Sequence, residues 1–258
     1  TLLDMPQRFW VQLTAISDLR ELLRIGQLCC AARDARLDHR CEIVTMSMRS
    51  RPGNGGLQWR NAPTVKSLSI TGLQYSHWSC MTARLHTLVL AQVNVMRSTS
   101  ADSITEFLHR QASITSLTIT QSRMATRRGG KLLARLLTAN ATLKSLDVSF
   151  NRYASSSRDG AEFARELAVG LSQNVSLVAV NLLQNGIGLD QAGALATILE
   201  GHPTLKSLCG NTGGTAELCM LSMGPEEAVM LAPEIIANQA LTSLDMSNNA
   251  IGGPTIHP

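Results

Sequence analysis

Six histidines and six cysteines are the side chains here best suited to hold a metal or attack a substrate, and their spacing supports neither role. His39, His77, His86, His109, His202 and His257 stand apart, with no HExxH run to set two imidazoles on one helix face. Cys29, Cys30, Cys41, Cys80, Cys209 and Cys219 lack CxxC spacing and lie mostly in apolar segments, where a free thiol behaves as a small hydrophobe. They read as free thiols of a reduced, intracellular protein, cytoplasmic or nuclear. The glycine-rich runs GNGG (53–56) and GNTGG (210–214) lack the Lys and Ser/Thr that complete a phosphate loop, so they read as turns. With no G-x-S-x-G and no carboxylate pair apart from solvated helix faces, no catalytic residue, metal or cofactor is expected.

The densest cationic cluster is Arg123, Arg127, Arg128, Lys131 and Arg135. No aromatic side chain is interleaved to stack a base, and the net charge is only +4, so nucleic acid is permitted and not indicated. No run has the length of a membrane-spanning helix, and Asp4 and Arg8 stand where a signal peptide would be apolar. The chain starts at Thr1 and not at Met, so a native N-terminus upstream is an expectation.

A 44% hydrophobic content with only 3% aromatics demands an interior of Leu, Ile, Val, Ala and Met, which is ordinary for a solenoid. Internal repetition is visible. TLKSLDVSFN (142–151), SLVAVNLLQN (176–185) and ALTSLDMSNN (240–249) share x-L-x-x-L-x-L-x-x-N, with one apolar exchange in the second. Segments 64–73, 84–93 and 113–122 keep the phase without the asparagine. The central positions Leu88, Leu117, Leu146, Val180 and Leu208 step by 29, 29, 34 and 28 residues. Between them lie helical patterns, such as Phe163, Ala164, Leu167 and Leu171 on one face, with Ala161 and Ala168. Each unit is then a strand, a turn and a returning helix that must stack on its neighbours to bury its apolar edge.

Residues 142–253 resemble leucine-rich repeats of ribonuclease-inhibitor type. The resemblance implies an α/β solenoid, with parallel strands on a concave face and helices on a convex one. It also implies that Asn151, Asn185 and Asn249 satisfy backbone groups where the chain leaves each strand. Leu68, Leu88, Leu117, Leu146, Val180, Leu208 and Leu244 are expected on successive parallel strands with buried side chains. Around 207–220 both Leu208 and Leu218 are candidate strand centres; the duplicated TLKSL favours Leu208. The chain stops at NNAIGGPTIHP, where another outer helix should follow, so a solenoid cut short or capped elsewhere is expected.

Residues 1–50 fall outside the repeats, residues 51–63 read as a linker, and the solenoid is expected over 64–258. Pro6 suits a helix start, Phe9, Trp10, Leu13 and Ile16 form a helical stripe, and Asp18 caps a second helix carrying Leu19, Leu22, Leu23 and Ile25. A third piece carries Leu28, Cys29, Ala31 and Ala32. This segment is similar to an F-box: Met5 and Pro6 match its Leu-Pro, Leu22 and Leu23 its two leucines, and Leu28 and Cys29 its Val-Cys, without a gap. Thr14 and Ser17 stand at positions usually apolar, and Ala32 at one usually aromatic. The resemblance implies a substrate-recognition subunit of a cullin-RING ubiquitin ligase, with Pro6, Trp10, Leu22 and Leu28 facing the ligase adaptor and the repeats holding a substrate protein. The alternative is a stand-alone leucine-rich-repeat scaffold whose N-terminal helices merely cap the solenoid. Either way the concave positions are Ser69, Thr71, Thr118, Thr120, Asp147, Ser149, Asn181, Leu183, Asp245 and Ser247, small and mostly polar. They suit an extended or helical protein partner without a deep pocket.

Overall fold

The computed structural model describes residues 10–14, 43–47, 67–71, 85–93, 104, 106–152, 157–211, 217–219 and 223–251. The chain divides into two units, residues 1–118 and 119–258. The expected linker, 51–63, lies outside the described residues.

In the first unit the repeat begins earlier than the leucine pattern indicates. Strands β1 (Trp10–Thr14), β2 (Ile43–Ser47), β3 (Ser67–Thr71) and β4 (Thr87–Ala91) pair in parallel and in chain order. The register aligns Val11, Val44, Leu68 and Leu88. Where a helix was expected through Trp10 and Leu13, residues 10–14 form a strand, and the segment 1–50 contributes two strands to the ladder; Phe9 and Ile16 lie outside the described residues. The physical reason is a conflict of periods. Trp10 and Leu13 fit a helical stripe, but Val11 and Leu13 alternating with Gln12 and Thr14 fit a strand equally well. Aromatic and β-branched residues then favour the extended form when a neighbouring strand is available to pair. Beyond β4, residues 104 and 106–110 are helical, with Ile104, Phe107 and Leu108 buried, as are Leu85, Leu88 and Leu90. Strand β5 (Ser116–Thr120) follows, with Leu117 and Ile119 buried and Ser116, Thr118 and Thr120 half-buried.

In the second unit strands alternate with outer helices: α1 (Arg127–Ala139), β6 (Ser145–Asp147), α2 (Ser157–Gln173), β7 (Ala179–Asn181), α3 (Leu189–Gly201), β8 (Glu217–Cys219), α4 (Pro225–Ala237) and β9 (Ser243–Asp245). The helices follow the apolar spacing: Phe163, Ala164, Leu167 and Leu171 of α2 are buried, as are Leu132, Leu133, Leu136 and Leu137 of α1. Two glycines let these helices meet. A Cβ on Gly130 would stand 2.5 Å from the Phe163 carbonyl oxygen, and one on Gly170 would stand 2.5 Å from the Ala134 Cα.

Leu68, Leu88, Leu117, Leu146, Val180 and Leu208 are at most 1% exposed. Leu244 departs from the expectation: it sits on β9 at 37% exposed, with every residue of that strand exposed. The expectation that Leu208 carries the repeat strand is corrected: the strand forms at Leu218. Leu208 lies between Ser207 and Cys209, which bridge to Ala179 and Asn181 of β7, and it forms no strand. Leu218 centres β8, aligned with Leu244 of β9. TLKSL thus imitates the repeat start, yet the chain turns out at Gly210, with φ +84°, before the repeat strand forms.

Candidate interaction face

Two polar ladders build the frame. The first lies where the chain leaves the strands. Asn151 Oδ1 accepts the Ser122 amide at 2.7 Å, Asn185 Oδ1 the Asn151 amide at 3.1 Å, and Asn249 Oδ1 the Met223 amide at 2.7 Å. Each Nδ2 donates back into its own turn, to Val148 O, Leu182 O and Met246 O at 2.8, 2.8 and 2.9 Å. Met223 therefore stands at the asparagine position of the Leu218 repeat, five residues beyond the strand centre, as Asn151 stands beyond Leu146. The residues ahead of positions 93, 122, 151, 185 and 249 are left-handed: Gln92, Gln121, Phe150, Gln184 and Asn248 have φ between 51° and 61°. The same tight turn thus recurs without glycine, held by the ladder behind it.

The second ladder, not anticipated from sequence, lies where the chain leaves the helices. Asn140 Oδ1 accepts the Thr142 and Leu143 amides at 2.9 and 2.7 Å. Asn174 Oδ1 accepts those of Ser176 and Leu177 at 2.9 and 2.7 Å, and its Nδ2 donates to Leu137 O and Asn140 O. His202 replaces asparagine in the next repeat. Its Nδ1 accepts the Thr204 and Leu205 amides at 3.2 and 2.8 Å, so the proton sits on Nε2, 3.0 Å from Leu171 O. The signal was legible as a polar residue three positions ahead of each repeat's first leucine. NAT (140–142) and NVS (174–176) also read as glycosylation acceptors, but both asparagines are buried and bonded. His202→Asn should keep stability within about 1 kcal/mol, whereas His202→Leu should cost about 2 to 3 kcal/mol by orphaning two amides, as read by urea unfolding.

The residues expected on the concave strand face differ in exposure, and one departs from the expectation. Ser69 and Thr118 are half-buried in the first unit, where Thr71 ends β3; in the second, Thr120, Asp147, Asn181 and Leu183 are half-buried and Asp245 and Ser247 are exposed. Ser149 is instead 2% exposed, because its hydroxyl turns inward to donate to Asp147 Oδ1 at 2.7 Å. Asp147, Asn181 and Asp245 share one local device, each accepting the amide two residues on, at 3.0, 3.2 and 2.9 Å. Bonds from Ser247 hold the Asp245 carboxyl below the usual carboxylate range. Of the four adaptor-facing candidates, Pro6, Leu22 and Leu28 lie outside the described residues, and Trp10 opens β1.

Two carboxylates on α4, Glu227 and Glu234, are buried and not on a solvated face. Glu234 accepts Leu208 N at 2.6 Å, Cys209 N at 2.9 Å, Ser207 Oγ at 2.9 Å and Asn211 Nδ2 at 3.1 Å. It thereby serves the backbone of a segment that pairs with β7 only through isolated bridges. Glu227 accepts Gly224 N at 2.8 Å and Gln184 N at 3.2 Å. Burial first, and then the Glu234 carboxylate, push the Cys209 thiol far above its ordinary range; it is free and no nucleophile. Cys219 lies on β8, and Cys29, Cys30, Cys41 and Cys80 lie outside the described residues.

Of the cationic cluster, Arg127 bonds Glu166 at 2.8 Å and lies 3.5 Å from Glu162, and Lys131 lies 3.8 Å from Glu166. The bond to Arg127 holds the Glu166 carboxyl below its usual range. Among the described residues no three His, Cys, Asp or Glu side chains are placed to hold a metal ion, and no helix is long and apolar enough to cross a membrane.

Stacked strand, turn and helix units closed by an asparagine ladder define an α/β leucine-rich-repeat fold. Residues 139–152 and 237–254 match the family model described as Leucine Rich repeat. These are two strand entries of the second unit, one leading into β6 and the other into β9. No curated protein matches the chain.

Proposed function

We propose that the protein is a non-catalytic scaffold that binds a protein partner along the strand face of its repeats. The observation that carries this reading is the row of half-buried side chains in the second unit, Thr120, Asp147, Asn181 and Leu183, set beside buried Ile119, Val148, Val180 and Leu182. The hidden members are consumed by the core, and the visible ones are small enough to admit an extended or helical segment. With Asp147 and Asn181 already fixing their own turns, Thr120 and Leu183 offer the freest contact. Thr120→Arg combined with Leu183→Arg, compared with wild type in affinity capture, tests the reading. Loss of a specific co-purifying protein with the fold intact is expected; unchanged capture overturns it.

The substrate-recognition role in a cullin-RING ligase rests on the ungapped F-box register of residues 5–33. Strand β1 occupies part of the stretch where that reading needs a helix, so the stand-alone scaffold is the reading adopted. Calorimetry with the ligase adaptor separates the two: heat at tens of micromolar would restore the ligase role. An intracellular location, cytoplasmic or nuclear, belongs to the same proposal and rests on the unpaired cysteine spacing.

A further inference from the structure

The mild net charge of the whole chain hides a steep gradient. Between residues 119 and 173 nine Lys/Arg stand against four Asp/Glu, a net +5; between 174 and 251 a single lysine stands against seven acids, a net −6. The outer helices carry this gradient into space. Helix α1 exposes Arg127, Arg128, Lys131 and Arg135 and has no carboxylate. Helix α3 exposes Asp190 and Glu200 and has no cation. Helix α2 packs against both. Its Glu162 and Glu166 engage Arg127 and Lys131, but α1 and α2 together still hold six cations against three carboxylates. Between the two charged flanks α2 exposes Val169 at 53%, and Val175, just past its end, is 68% exposed.

We propose that two copies of this chain associate antiparallel through the outer face of α1, α2 and α3, the cations of α1 in each copy lying over the carboxylates of α3 in the other. An apolar centre flanked by opposite charges is self-complementary under a two-fold axis, so every attraction is made twice. Val169 and Val175 supply the dry centre and the charged helices the rim. An acidic partner on α1 alone would leave the α3 carboxylates and the central valines unused, which is why a second copy fits better.

The full chain at tens of micromolar should sediment as a dimer in about 50 mM salt and dissociate at about 1 M, where screening shortens to roughly 3 Å. Arg128→Glu with Arg135→Glu should give a monomer, as should Asp190→Lys with Glu200→Lys, since each sets like charges face to face. Mixed in equal amounts, the two variants should form a one-to-one dimer: the reversed patches now face each other and the unaltered patches still match. That recovery also shows both variants to be folded. A wild-type monomer at low salt overturns the proposal, as does a dimer indifferent to either reversal or a mixture that stays monomeric; binding of an acidic peptide to such a monomer would assign α1 to that partner instead.

Discussion

Asn151→Leu should destabilise the protein by about 3 to 5 kcal/mol, although leucine matches asparagine closely in size. Asn151 is wholly buried, and its amide serves five backbone groups drawn from two repeats. Leucine removes the donor that serves the Ile119 and Ser149 carbonyls, among other bonds, and each group left so costs about 1 to 3 kcal/mol when water cannot reach it. The melting temperature should fall by on the order of 10 °C. Because repeats are stabilised mainly by their neighbours, hydrogen-exchange protection should be lost first around residues 119–151. A loss below about 1 kcal/mol would mean that the ladder is incidental to the stack.

Phe163→Ala should cost about 3 to 5 kcal/mol for a different reason, the void left by the aromatic ring. Phe163 is wholly buried in α2, on the side that packs against α1, and its own carbonyl lies close beneath Gly130. The glycine contact fixes the spacing of the two helices, so neither can move in to fill the space, and the cost should sit near the upper end. Val169→Ala, at an exposed position of the same helix, should change stability by under about 0.5 kcal/mol. Chemical unfolding of the two variants side by side checks the helix's orientation.

Much of the frame was readable from residue types. The asparagines at 151, 185 and 249 marked the strand exits, and apolar spacing marked the outer helices, because one hydrophobic face per element leaves a clear period. Three features were hidden by specific degeneracies. Val11 and Val44 carry the strand phase without leucine, and Trp10 and Leu13 satisfy a helical period as well as an extended one. Glu227 and Glu234 sit on an amphipathic helix, where acids ordinarily face water; only the fold reveals the backbone amides they meet. Leu208 imitates a repeat start, and its displacement depends on Gly210 and on Glu234, twenty-six residues away. The alternation of small polar side chains along the strands was legible as a row, yet Ser149 leaves it, buried and bonded to Asp147.

The central claim, that the strand face is where this protein meets its partner, is tested most directly by site-specific photo-crosslinking in cells. A benzophenone side chain would replace Thr120 on the strand face or Thr197 on the exposed side of α3. A discrete adduct with a protein other than this chain is expected from position 120, and none from position 197. An adduct with a foreign protein from position 197 alone would contradict it.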